Sequence, residues 1–334
     1  IDIYGYGGDF NRYDASDFNF CDNGLISPDR VFNPHAYEVQ YFHQSIWVNP
    51  VDMQKGAVSV YNENFFKDLS GYYAEWSLLV NGDIKQRGVI SDLKVEPQQK
   101  AQLTIPYTLN NIEADDEVLL NVSFKLKNEE SLLPAGYEVA KNQLVIQEYK
   151  APEMKLANEG TKHYQTPTPT ILDNDNNYLI VKGENFEMDF KRRNGFLSMY
   201  NVNGQTIMEE DTYLTPNFWR APTDNDMGAN LQNKNRVWLN PELKLKDLKA
   251  TTENGMVRVQ ATYDMPSVSA QLELTYLINN EGAIQVTQSM TADKSAKVAD
   301  MFRFGMQLKV NKELANILYY GRGPIENYSD RNHS

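Results

Sequence analysis

The sequence is poor in several residues on which much protein chemistry depends. It has one cysteine, Cys21, so no disulfide can form within the chain and cysteine usage says nothing of the redox compartment. It has four histidines, His35, His43, His163 and His333, and none stands at a metal-ligand spacing from another or from Cys21. His35 and His43 lie roughly on one helix face, which reads as a surface or packing role, and no Cys–His nucleophile signature is present. No run of about 18 apolar residues occurs, which excludes a membrane-spanning helix. Basic residues are in deficit: 32 Lys and Arg against 45 Asp and Glu give a net charge of −13. Nucleic acids and anionic membranes need a basic face, so neither is expected as a partner. The opening IDIYGYGG has no initiator Met and is not a signal peptide. The chain reads as a piece of something longer.

What is abundant is aromatic. Tyr contributes 20 residues, Phe 14 and Trp 4, a load that suits strands and sugar-facing surfaces. With 41% apolar residues over 334 positions, two or three smaller β domains are expected rather than one large core. Residues 1–30 are rich in Gly, Asp and Asn and read as loop. NPHAYEVQYFHQSI (33–46) carries Pro34 in a first-turn position and apolar residues at helical spacings, which predicts a short helix. From Ile46 the period changes to two. AVSVYNEN (57–64), YYAEWSLLVNGD (72–83), AQLTIPY (101–107), EVLLNVSFKLKN (117–128) and YEVAKNQLVIQEY (137–149) read as strands separated by turn chemistry. About seven short strands with Trp76 on a core strand predict an immunoglobulin-like sandwich. Asn81-Gly82 marks a two-residue hairpin. Asn121-Val122-Ser123 matches a glycosylation acceptor, but inside a strand pattern it reads as chance.

Residues 150–177 have no period and read as a linker or extended arm. From Tyr178 a second β system begins, with strands expected in YLIVKG, NFEMDFKRRNGFLSMYNVNG, MVRVQATYD, SAQLELTYLI, AIQVTQSMTA, MFRFGMQLKV (301–310) and NILYYGRG (316–323). Asn194-Gly195 and Asn203-Gly204 mark hairpins, and Asn280-Glu281-Gly282 a turn. Residues 214–238 form a long irregular insertion, and loops of that length in a β domain are usually functional or disordered.

Glycoside cleavage with retention needs two carboxyl groups about 5–5.5 Å apart. Glu63, Glu129 and Glu281 each follow an Asn, yet each sits in a turn where a solvated carboxylate is the plainer reading. GYGGDF (5–10) resembles a phosphate cradle only superficially, because no capped helix follows it. In FWRAPTDNDMG (218–228), Asp224, Asn225 and Asp226 crowd oxygen donors before Gly228. Contact with sugar hydroxyls or a hard cation, and Asx closure of a turn onto its own backbone, stand side by side as readings. Arg220, set among aromatics, calls for a carboxylate partner. YYGRGPIENYSDR (319–331) mixes charge and aromatics and reads as an interlocked polar network.

Together, GYGGDF (5–10), FCDNGLISPDR (20–30), FWRAPTDNDMG (218–228), FRFG (302–305) and YGRGPIENYSDR (320–331) carry a resemblance. In order and approximate spacing the chain resembles the C-terminal part of a glycoside hydrolase family 2 β-galactosidase, over essentially its whole length. The resemblance implies a mainly β fold in three pieces. Residues 1–43 would be the end of the catalytic (β/α)₈ barrel. Residues 44–150 would be an immunoglobulin-like β-sandwich. Residues 151–334 would be the N-terminal part of the large, galactose-mutarotase-like sandwich of the small-chain domain.

It also implies that no catalytic residue lies in this chain. The acid/base Glu, the nucleophile Glu and the ligands of the parent's magnesium would precede residue 1. Phe20, through its carbonyl, and Asn23, through its side-chain oxygen, match two sodium-site positions. The site would be partial, and unoccupied in this chain alone. Asp224, Asn225, Asp226 and Gly228 match the substrate-side loop, with Gly228 opening the family's mobile active-site loop. The sequence departs from the commonest pattern in MGANLQNKNRVW after the DND triplet. The implied function is that of a non-catalytic segment of a retaining enzyme acting on terminal β-D-galactosides. The parent would be a homo-oligomer of bacterial type, cytoplasmic or periplasmic. A stand-alone carbohydrate-binding or scaffold module, and a family 2 enzyme of different sugar preference such as a β-glucuronidase or β-mannosidase, are the alternatives.

Overall fold

The computed structural model describes residues 5, 9, 12–13, 15, 24–151, 153–156 and 167–333. The protein is mainly β, built of antiparallel sheets. Two units divide it: residues 1–152 with 319–334, and residues 153–318.

In the first unit, helix α1 (Pro34–Phe42) opens with proline, whose fixed φ suits a first helical turn. It stops before the expected end, at the His43 cap, because Ile46 already belongs to strand β1 (Ile46–Asp52). Strands β2 (Ala57–Asn62) and β5 (Lys100–Thr104) complete a sheet of order β1-β2-β5. Strands β3 (Tyr72–Val80), β4 (Asp83–Ile90), β6 (Val118–Leu126) and β7 (Glu138–Gln147) form the second, of order β4-β3-β6-β7. Seven strands split three and four in this way have the order of an immunoglobulin-like sandwich. Strict alternation on β3 and β6 sends Trp76, Leu78, Leu120, Val122 and Phe124 inward, each buried. Each such side chain contributes roughly 1.5–3 kcal/mol by leaving water. Asn142 on β7, itself buried, ties the sheets together by accepting from the Val48 amide at 2.6 Å. Asn81 and Gly82 join β3 to β4 with φ of 51° and 86°, the two positive values a tight hairpin needs. Gly56 follows β1 at φ 69°, and a Cβ there would lie 2.1 Å from the Ile105 carbonyl oxygen. Only glycine fits.

Segment 319–333 groups with this unit. Tyr320 hydrogen-bonds Glu117, and the amides of Asn332 and His333 donate to the buried Glu38 carboxylate of α1 at 3.3 and 2.9 Å. Residues 316–323 form no strand, contrary to the expectation from their apolar run. Leu318 is fully exposed, and Gly321, Gly323 and Pro324 interrupt any ladder. Within the segment, Arg331 Nε lies 3.0 Å from a Glu326 oxygen, and its guanidinium lies 5.0 Å from the Tyr328 ring centre.

The second unit holds a sheet of order β12-β11-β10-β9-β8, comprising β8 (Thr170–Leu172), β9 (Tyr178–Lys182), β10 (Phe186–Lys191), β11 (Leu197–Val202) and β12 (Gln205–Thr206). A second sheet runs β14-β15-β16-β17, comprising β14 (Lys244–Glu253), β15 (Met256–Met265), β16 (Ala270–Ile278) and β17 (Ile284–Ala292). A short pair joins β13 (Thr215–Asn217) to β18 (Gly305–Gln307). Strand β8 lies inside the stretch expected as linker. β14 lies outside the strands expected from the sequence, since its lysines mask its alternation. The expected strand over 301–310 shrinks to three residues, because Phe302 and Phe304 turn to aromatic contacts instead. One core fills this unit, with Met188, Phe190, Val259, Tyr263, Leu274 and Tyr276 buried, and Phe190 meeting Tyr276 edge-on at 4.9 Å. Tyr263 donates to the Asn194 carbonyl at 2.8 Å, so its phenol is satisfied although burial pushes its pKa far up.

Candidate functional site

The insertion at 214–238 is not irregular throughout. Two of its aromatics, Phe218 and Trp238, are 2% and 4% exposed, with ring centres 5.4 Å apart, and the Trp238 indole donates to the Ala299 carbonyl at 2.5 Å. This pair anchors the insertion in the core. Between the anchors run the short helices α2 (Asp224–Gly228) and α3 (Leu231–Lys234).

Helix α2 starts with a capping box. The Thr223 hydroxyl accepts from the Asp226 amide at 3.3 Å, and the Asp226 carboxylate accepts from the Thr223 amide at 2.8 Å. Arg220 supplies the remaining partner. Its Nη1 donates to one Asp226 oxygen at 2.5 Å and its Nη2 to the other at 3.2 Å, a bidentate pair. The guanidinium carbon lies 4.7 Å from the centre of the Phe302 ring, and Trp219 meets the same ring edge-on at 4.7 Å. Arg220 thus has the carboxylate partner its aromatic setting called for. The Arg220 hydrogen bond, with that from Thr223, holds the Asp226 carboxyl down at about 2.

Of the residues matched to the substrate-side loop, the structure brings Asp224, Asn225, Asp226 and Gly228 onto one helical turn but gives them different jobs. Asp226 faces inward and is engaged on both oxygens. Asp224 and Asn225 are exposed. Gly228 has no positive φ, and a Cβ there would meet nothing within 4 Å, so this conformation does not require glycine. Phe302 was within sight as part of the FRFG landmark, but its stacking on Arg220 was not. Thr223-x-x-Asp226 is itself a capping-box pattern that the sequence displays.

Phe20 and Asn23 lie outside the described residues. The adjoining carbonyl of Gly24 accepts from Asn33 Nδ2 at 2.7 Å and lies 3.1 Å from His35 Nε2, which ties the end of that loop to the start of α1. Carbonyl and amide oxygens are the right donor class for a hard cation, and two of them leave its shell short. Among the described residues, no group of three or more His, Cys, Asp or Glu side chains is placed to hold a metal. Glu63 accepts from the Trp47 indole at 2.7 Å, while Glu129 and Glu281 are exposed in turns.

Residues 182–334 match the β-galactosidase small chain, and residues 58–147 match domain 4 of β-galactosidase. The chain is similar to β-galactosidases over nearly its whole length. It corresponds to the C-terminal part of a β-galactosidase. The β-galactosidase of Priestia megaterium is 33% identical over 337 residues, that of Lactobacillus delbrueckii subsp. bulgaricus 30% over 329, and that of Clostridium acetobutylicum 28% over 335. These alignments take in 98%, 98% and 99% of this chain but only 30%, 31% and 35% of the three relatives. The chain therefore spans about a third of the length of the β-galactosidases it matches. No helix among the described residues is long and apolar enough to cross a membrane.

Proposed function

We propose that this chain is the non-catalytic C-terminal segment of a retaining β-galactosidase acting on terminal β-D-galactosides. The observation that carries the reading is the adjacency of the two matches, domain 4 at 58–147 and the small chain at 182–334. On this reading residues 1–43 close the catalytic barrel, residues 44–150 form the immunoglobulin-like domain, and residues 151–334 begin the small-chain sandwich. In the parent, one carboxyl group protonates the leaving oxygen and a second takes the galactosyl group, which water then releases. Neither is assigned to this chain. Its own residues do two things. Phe20 and Asn23 contribute oxygens to a sodium site completed from outside the chain. Asp224 and Asn225 present polar side chains at the sugar, held in place by Asp226 and Arg220 beneath them, while the parent's magnesium is held by residues elsewhere. The parent assembles as a homo-oligomer.

The test is hydrolysis of a nitrophenyl β-galactoside by the purified 334-residue chain. No turnover above the buffer rate is expected, and measurable turnover that co-purifies with the chain overturns the reading. Calorimetry with a galactoside separates the alternative: clear affinity of the chain alone would favour a stand-alone carbohydrate-binding module.

A further inference from the structure

Asn-Gly pairs recur along the sequence. The asparagine of one, Asn23-Gly24, lies outside the described residues. The others, Asn81-Gly82, Asn194-Gly195, Asn203-Gly204 and Asn254-Gly255, stand at turns. Glycine leaves its own amide nitrogen unshielded, so that nitrogen is able to attack the carboxamide of the asparagine before it. The fold decides where this happens. The nitrogen must not be engaged in a hydrogen bond, the carboxamide must be able to turn towards it, and the turn must open. Opening is needed because a tight hairpin with two positive φ values aims the nitrogen away from the asparagine side chain.

Three of these turns are closed to the reaction. At Asn81 the carboxamide is tied at both ends: Nδ2 donates to Asp116 at 2.7 Å and Oδ1 accepts from the Glu117 amide at 2.8 Å. At Asn194 the nucleophile is engaged, since the Gly195 amide donates to the Lys191 carbonyl at 2.7 Å, and Asn194 Oδ1 accepts from the Phe196 amide at 3.1 Å. Asn254 caps a long hairpin, in register from Glu253/Met256 to Lys244/Asp264, and a Cβ on Gly255 would lie 3.0 Å from Leu156. Asn203-Gly204 differs on every count. Both residues are exposed at φ 52° and 75°, and a Cβ on Gly204 would meet nothing within 4 Å. Neither the Asn203 carboxamide nor the Gly204 amide is hydrogen-bonded to another described residue. The Asn203 amide does donate to the Asn185 carbonyl at 2.7 Å, but it is neither of the reacting groups. The hairpin itself is short. β12 pairs with β11 only at Asn201/Thr206 and Val202/Gln205, followed by one bond from the Ile207 amide to the Tyr200 carbonyl at 2.9 Å. So short a ladder opens locally at little cost.

We infer that Asn203 is a self-modification site, the one among these four turns at which the folded chain loses ammonia. The Gly204 nitrogen bonds to Asn203 Cγ and gives up its proton. The Cγ–Nδ2 bond breaks, and the carboxamide nitrogen leaves as ammonia with that proton. A five-membered cyclic imide remains. Water then adds to one of its two carbonyl carbons and the ring opens, giving aspartate or its β-linked isomer. One water is consumed and one ammonia released, nothing is oxidised or reduced, and the turn gains one negative charge. The β-linked product also gains a backbone atom, which a two-residue turn cannot absorb, so Gln205 and Thr206 lose their register with β11. The inference does not depend on the galactosidase reading. It compares turns within one chain and rests on what holds each of them.

Peptide mapping by mass spectrometry tests it, on the 334-residue chain incubated warm at mildly alkaline pH. The peptide holding Asn203 should gain about 1 Da, and should do so at least about tenfold faster than those holding Asn81, Asn194 and Asn254, because its turn opens most readily. Part of that product should accept a methyl group from an isoaspartyl methyltransferase, which marks the β-linked isomer. The same incubation in urea separates fold from local sequence. There the four rates should draw together to within about threefold, since no turn is held. Equal rates at Asn203 and any of the other three in the folded chain overturn the inference. So does an unreacted Asn203 after the unfolded chain has reacted, or a preference for Asn203 that persists undiminished in urea.

Discussion

Arg220 and Asp226, six residues apart, close a ring of hydrogen bonds around Thr223. The pair makes a five-residue helix stand where so short a helix would not form alone, since helix nucleation is unfavourable and propagation has too few residues to offset it.

Asp226→Asn should open that helix without unfolding the unit. The amide keeps the shape but loses the charge that Arg220 grips. Amide exchange at Met227 and Ala229 is expected to speed up severalfold, with exchange in β15 and β16 unchanged. A uniform change across all three elements would contradict a local role.

The same pair sets an acid limit on the helix. The folded carboxyl titrates at about 2, below its ordinary 3.8. A depressed carboxyl contributes stability that is fully present above the unfolded value and is lost as pH falls through the folded one. Exchange at Met227 should therefore be flat from neutral pH down to about 4, and should rise between about 4 and 2, after correction for the intrinsic rate.

Asp189 on β10 is the opposite case. Half-buried, with one oxygen unpartnered, it is pushed up to about 6 by desolvation first and by Glu187 and Asp175 second. A raised carboxyl favours folding while protonated, so stability falls as pH rises from about 4 to 6 and the full penalty applies above that. Asp189→Asn should raise stability by about 1–2 kcal/mol at neutral pH and by nearly nothing below about pH 4. Denaturant melts at the two pH values check the sign.

Two glycines separate backbone need from free space. Gly56→Ala should destabilise the first unit by roughly 1–3 kcal/mol, since its φ is positive and a Cβ would strike the Ile105 carbonyl. Gly228→Ala meets nothing and should be neutral or stabilise by up to about 1 kcal/mol. If Gly228 serves loop motion in a complete enzyme, the same change would alter turnover there while leaving the melting curve of this chain in place.

Tyr320→Phe should free segment 319–333. Burial, and then the bond to Glu117, push the Tyr320 phenol up to about 12. A raised phenol contributes stability that is present below its unfolded value near 10 and lost as pH climbs through 12. Tryptic cleavage after Arg322 should be faster in Tyr320→Phe than in the parent chain at neutral pH, and equal rates would show that the contact does not hold the segment.

Much of this was open to reading along the chain. Alternation in 72–80 and 118–126 placed β3 and β6. Asn81-Gly82 placed the turn from β3 to β4, because two positive φ values at successive residues leave few other choices. The landmark motifs, in order, carried the family. Asn194-Gly195 marked a hairpin too, though its connection spans five residues and not two, because Tyr263 draws the Asn194 carbonyl inward.

Other features depended on residues distant in sequence. Residues 316–323 have strand composition and form none, because an apolar run becomes a strand only when a neighbouring edge accepts it. The DND triplet left sugar contact and turn closure as equal readings. Arg220 and Phe302, which lie 82 positions apart, assign Asp226 inward and leave Asp224 and Asn225 outward. Local sterics and periodicity act between neighbours and are written in the sequence, whereas the choice of partner is a competition among distant groups for the same buried space, and only the folded arrangement decides it.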